Sequence, residues 1–154
     1  AKGQNGTHCR SLVLKDQANY DSRGGMDVQR ICFLGTRTAH FDATAAFFKD
    51  VLGLEYAQGA PGYSVFRLPS GRGDYVEVFG READPSLLPA EVGDGVFVAF
   101  AVDDIAGARE EFAAADVELI GDLVWAAEGY GWFYFRAPDG NIYVMQQDTR
   151  PSKA

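Results

Sequence analysis

A chain of 154 residues, 47% apolar and 23% charged, has the length and composition of one ordinary globular domain with a buried core. Its net charge of −8 argues against a nucleic-acid partner, which needs a basic surface, and against an anionic membrane surface. No apolar run reaches the length of a membrane span and no secretion signal is read, so the two cysteines, Cys9 and Cys32, are expected as reduced thiols in a cytoplasmic protein.

Residues 1–25 differ from the rest. They are rich in Gly, Asn, Gln and Ser, and Lys2, Arg10, Lys15 and Arg23 outnumber Asp16 and Asp21. Met26 then precedes the first apolar run. The segment reads either as cloning-derived residues or as a loosely ordered natural extension, and it carries no functional expectation. His8 falls within it.

Ile31 to Thr38 has the alternation of a strand, with Phe33, Gly35 and Arg37 on one face. The period changes at His40. Phe41, Ala45, Phe48 and Leu52 then fall on one face of a helix, and Gly53 ends it as a left-handed cap. Leu54–Ala57 and Tyr63–Leu68 are short strands around Pro61-Gly62. Asp74–Phe79 is a third, with Tyr75, Glu77 and Phe79 on one face and Val76 and Val78 on the other. Residues 81–95, with Pro85, Pro89, Gly93 and Gly95, read as a linker. Phe97–Val102 is again a strand. Asp103 or Asp104 caps a helix that places Ile105, Ala108, Phe112 and Ala115 on its apolar face. Strand-like stretches follow at Val117–Ile120, Leu123–Ala126, Trp132–Arg136 and Ile142–Gln146, with a turn at Pro138-Asp139-Gly140-Asn141 before the last.

The chain therefore says nearly the same thing twice. Phe33, Gly35, Arg37 and Phe48 recur as Phe97, Ala99, Ala101 and Phe112 at one constant offset. The expected fold is α+β. Residues 26–150 form a single domain of two βαβββ modules, about 30–80 and 95–147, and their paired sheets bury faces that neither module covers alone.

Three segments carry a family resemblance. Phe47-Phe48-Lys49-Asp50-Val51-Leu52-Gly53-Leu54 resembles the FY-x-x-x-LG-L helix end of the vicinal oxygen chelate superfamily. That group includes glyoxalase I, bleomycin-resistance proteins and extradiol dioxygenases. Val98–Asp104 is similar to its h-x-A-F-x-V-D-D opening of the second module, and Phe135–Asn141 to its F-x-DPDGN turn. The resemblance implies a cup-shaped mixed sheet around a ligand cavity, and a homodimer. The family's metal enzymes take one ligand from each of four strand positions, which here fall on Phe33, Glu77, Phe97 and Val144. Only Glu77 has a donor atom, and a metal site needs three or four. No metal and no cofactor are expected. These positions become an apolar-aromatic patch facing Glu77.

Glu77 is then expected to point inward as a carboxylate of raised pKa, a base or the partner of a cationic ligand; a structural pairing with an arginine is the alternative. Resemblance to glyoxalase I makes Arg37 an anion-binding group, against a structural ion pair or a strand-end surface position. His40 is a second candidate base, against a loop residue at a helix start. Tyr63, Tyr75, Trp125, Tyr130, Trp132 and Tyr134 form an aromatic set suited to planar or cationic ligands, against ordinary packing for any one of them. Trp125–Trp132 resembles the family's cavity-covering loop. No Walker loop, G-x-G-x-x-G, Cys-x-x-Cys or G-x-S-x-G motif is present. The expected function is metal-independent sequestration of an aromatic or cationic organic compound, of the bleomycin-resistance type. A lyase or isomerase using Glu77 or His40 as base is the alternative, and a metal-dependent glyoxalase or dioxygenase reaction stands behind both.

Overall fold

The structure, a computed structural model, describes residues 25–70 and 74–151; expectations for residues 1–24, Cys9 and His8 included, and for Gly71–Gly73 lie outside them. The first module runs β1 (Arg30–Arg37), α1 (Phe41–Ala46), β2 (Glu55–Ala60), β3 (Tyr63–Arg67) and β4 (Tyr75–Phe79). The second runs β5 (Gly95–Ala101), α2 (Ile105–Ala114), β6 (Glu118–Ala127), β7 (Tyr130–Arg136) and β8 (Ile142–Asp148). All eight strands form one open mixed sheet in the order β2-β3-β4-β1-β5-β8-β7-β6. The modules meet edge to edge where β1 and β5 pair antiparallel, and each module's last strand runs parallel to its first. This is the expected α+β cup.

At the module junction Gly35 pairs with Phe97 on one side and Glu77 on the other. A side chain at 35 would fall inside the Phe97 ring, so the glycine is what lets that ring lie across β1. The concave face holds one core: Phe33, Phe79, Phe97, Ala99, Ile120, Tyr134 and Val144, all buried. The convex face holds another beneath α2, where Ile105 and Ala108 pack with Phe133, Phe135 and Met145. Asp104 supplies the expected cap, its side chain accepting from the Gly107 N–H at 2.9 Å.

Three expectations need correction. The helix expected over Phe41–Leu52 keeps α geometry only to Ala46. A π-helical stretch, Phe47–Val51, follows, in which the Leu52 N–H reaches the Phe47 carbonyl. The extra residue in that turn rotates the apolar stripe, so Leu52 stands 52% exposed and neither piece buries a residue completely. Gly53, at φ +67°, still closes the segment. The two stretches expected at Val117–Ile120 and Leu123–Ala126 are one strand, β6, broken in register between Ile120 and Val124. Gly121 at φ +68° absorbs the break, a conformation in which a Cβ is strained. Finally, residues 81–95 do more than link. Leu88 and Val92 are buried in the concave core, since the cup's interior is apolar and the linker holds the leucines and valine that fill it.

Candidate functional site

Above that concave core lies a cavity of about 190 Å3. The first module contributes Phe33 from β1, Gln58 from β2, Tyr63 from β3, and Glu77 and Phe79 from β4. The second gives Ala126 from β6, Tyr130, Trp132 and Tyr134 from β7, and Gln146 from β8. Leu87 of the linker also lines it. Every strand except β5 reaches it, because the curvature of the two half-sheets aims their concave faces at one point.

Glu77 is its only charged side chain; no Lys, Arg or His stands among the described lining residues. Strand alternation places it there, with Val76 and Val78 buried on the opposite face. Its remaining open surface faces the cavity and protein atoms crowd it elsewhere, so the carboxylate has lost most of its water. That desolvation pushes its pKa up from an ordinary 4.5 to about 7, opposed by a hydrogen-bonding interaction with Tyr63. Tyr63 lies one diagonal step away on β3, since Val65 pairs with Glu77 and Tyr63 with Phe79. Burial and the nearby Glu77 raise the phenols of Tyr63, Tyr130 and Tyr134; Tyr130 rises to about 12.

The rings stand as two pairs. Tyr63 and Phe79 lie with centroids 4.8 Å apart and planes 34° from parallel, and Tyr130 and Trp132 lie 5.5 Å apart at 53°. Each module supplies one pair. Tyr134 is held by donating its hydroxyl to the Leu87 carbonyl at 2.7 Å, which also fixes the linker across the cavity.

Of the residues expected at the site, the cavity brings together Phe33, Tyr63, Glu77, Tyr130, Trp132 and Tyr134. Phe97 and Val144 instead lie in the core: Phe97 packs edge-on to Phe33 at 6.2 Å and against Phe79 at 5.7 Å, and Val144 is fully buried. Apolar side chains at these positions satisfy one another by contact instead of lining the cavity between the modules. Tyr75 packs on the same core without lining the cavity. Trp125 is 49% exposed, its ring lying against Gly131 on the neighbouring strand. Arg37 donates to the Val92 carbonyl at 2.7 Å and so anchors the linker; it is neither an ion partner of Glu77 nor a cavity group. His40 is exposed at the start of α1, where its backbone N–H donates to Thr38.

Gln58, Leu87 and Gln146 were not anticipated. Gln146 continues the face of Val144 on β8 and was in principle readable by alternation. Leu87 had no periodic signal, because it lies in an irregular segment.

The four positions that hold metal in the family do not fit one here: Phe33, Phe97 and Val144 offer no donor atoms. No group of three or more His, Cys, Asp or Glu side chains comes together among the described residues. A second depression, about 210 Å3, is lined by residues 91–97, Arg136 and residues 140–142. Its arginine, Arg136, is already engaged by Glu118 and the Gly140 carbonyl, and Asp94 on its rim is paired with Arg81.

The sequence pattern of the glyoxalase/bleomycin resistance protein/dioxygenase superfamily matches residues 30–144. No curated protein matches. Several solved structures share the fold. A superfamily member from Vibrio splendidus is 23% identical, with a TM-score of 0.55 over 77% of this chain and 98% of its own. The Mn(II)-bound glyoxalase from Novosphingobium aromaticivorans is 21% identical, with a TM-score of 0.63 over 84% of this chain but 43% of its own. Methylmalonyl-CoA epimerase from Mycobacterium tuberculosis is 16% identical, with a TM-score of 0.63 over 87% of this chain and 96% of its own.

Proposed function

The chain belongs to the glyoxalase/bleomycin resistance protein/dioxygenase superfamily, and within it we propose a metal-independent protein that binds and sequesters a small aromatic or cationic organic compound in the cavity between its modules. The observation that carries this reading is the lining: two aromatic pairs and two further rings around a single carboxyl group. Such walls stack on planar rings and attract cations. Size narrows the ligand. A cavity of about 150 Å3 takes a benzene ring, so 190 Å3 suits one ring with a short substituent. The setting proposed is the cytoplasm and the assembly a homodimer.

Only two tryptophans are present, so Trp125→Phe leaves Trp132, on the cavity wall, as the sole indole reporter. Titrating that variant with phenyltrimethylammonium is expected to quench its fluorescence saturably. Absence of any saturable change with this compound or other one-ring aromatic amines would remove the reading.

The second reading is a lyase or isomerase that uses Glu77 as base. It is favoured by one observation: a carboxyl group whose pKa lies at about 7 is half ionised at neutral pH, matched to proton abstraction near the working pH. Glu77→Gln then abolishes any turnover while leaving ligand binding measurable. Turnover that survives the change rules Glu77 out as the base.

A further inference from the structure

Resting on the small-molecule reading above, we propose that the cavity is an aromatic cage whose ligand is a compact alkylated ammonium cation, a tertiary or quaternary amine.

Charge selects the sign. A ligand anion would meet Glu77 with no lysine, arginine or histidine among the described lining residues to offset it. A neutral ligand would leave the desolvated carboxyl group, whenever it ionises, with the Tyr63 hydrogen bond but no counter-charge in the cavity. A cation completes the site, and the chain's charge of −8 draws cations toward it at long range.

The walls then select the kind of cation. A primary ammonium carries three N–H donors and needs acceptors for all of them. Apart from Glu77, the side-chain acceptors here are the two amides, Gln58 and Gln146, and the tyrosine hydroxyls. Two of those hydroxyls already donate, Tyr134 to the Leu87 carbonyl and Tyr63 to Glu77, and keep only their lone pairs for a ligand. Ring faces dominate instead: Phe33 and the pairs Tyr63–Phe79 and Tyr130–Trp132. An alkylated nitrogen needs few acceptors or none; it spreads its charge over methyl groups that pack on ring faces. Tyr130 already takes a cation in this way, since the Arg150 guanidinium sits 4.0 Å from its ring centroid from outside the cavity. Asp148 neutralises Arg150 through bonds of 2.7 and 2.8 Å, so the arginine does not oppose a second cation.

Affinity should follow the ionisation of Glu77. The other titratable groups facing it are Tyr63 on β3, Tyr130 and Tyr134 on β7, and Cys32 on β1. All four are raised; Cys32 reaches about 11 and Tyr130 about 12, so between pH 6 and 8 only the carboxyl of this group changes charge.

The test is calorimetric titration of the full chain with choline and with its uncharged isostere, 3,3-dimethylbutan-1-ol, at pH 6 and pH 8. At pH 8 choline is expected to bind about tenfold more tightly than the alcohol. Its affinity should fall about tenfold at pH 6, as Glu77 takes up a proton, while the alcohol's does not. Glu77→Gln should hold choline at its weaker pH 6 level at both pH values and so remove the pH dependence, and the wild-type pH dependence stands alone if that variant misfolds. Equal binding of the two probes, or binding of neither while one-ring aromatic compounds still quench Trp132, overturns the cation cage and leaves the small-molecule reading standing. Failure of every probe overturns both.

Discussion

Glu77 is the one charged side chain among the described residues lining the cavity, and its environment makes a stability prediction independent of any ligand. Its folded-state pKa, about 7, lies above the ordinary 4.5. Between those values the folded protein holds a proton that the unfolded chain has released, so stability falls as pH rises through the window. The loss is at most about 3 kcal/mol, less wherever cavity water screens the carboxylate. Glu77→Gln removes this contribution. In urea titrations the stability of the variant relative to wild type should therefore increase from pH 4.5 to pH 8; a constant difference would mean the carboxyl is not desolvated. Gly35 makes a second prediction. Gly35→Ala puts a methyl group into the Phe97 ring and should cost about 1–3 kcal/mol by forcing that ring aside, read as a lower urea midpoint. An unchanged midpoint would mean the ring yields freely.

At the scale of elements, the linker is the part whose role the sequence hid. Residues 81–94 form a compact loop whose ends are joined by the Arg81–Asp94 ion pair at 2.6 Å. Its middle is held to the cup by Tyr134 on the Leu87 carbonyl and Arg37 on the Val92 carbonyl. Tyr134→Phe should destabilise the fold by about 1 kcal/mol and increase amide exchange across residues 84–92, with β7 and β8 unchanged. Exchange unaltered in that loop would show that packing of Leu88 and Val92 alone retains it. Strand alternation made Glu77 and its aromatic neighbours legible, because period two aims every second side chain at the cavity. It could not separate the wall of this cavity from the core on the same face: Phe33 and Phe97 occupy matching positions, yet only Phe33 lines the cavity, while Phe97 borders the second depression. That distinction depends on how the two sheets curve. Leu87 and the roles of Arg37 and Tyr134 depend on an irregular loop folding back, for which no periodicity exists.

For the whole molecule, duplication of a βαβββ unit was legible because its motifs recur in order, and the curved sheet follows from joining the two copies through β1 and β5. The copies are not packed equally. Phe112 of α2 lies edge-on to Phe133 and Phe135, whereas the segment after α1 leaves Phe47 and Val51 47% and 69% exposed. A homodimer that covers this apolar segment predicts a sedimenting species of twice the chain mass, dissociated by Val51→Glu; a monomer at all concentrations would contradict it. Both modules of one chain line the cavity, so each chain should bind ligand through its own two modules. The most direct test of a metal-free cavity between modules is calorimetric titration of EDTA-treated protein with phenyltrimethylammonium at pH 8, before and after adding Mn(II). One ligand per chain with affinity unchanged by the metal is the result expected here; binding that appears only once Mn(II) is added would contradict it.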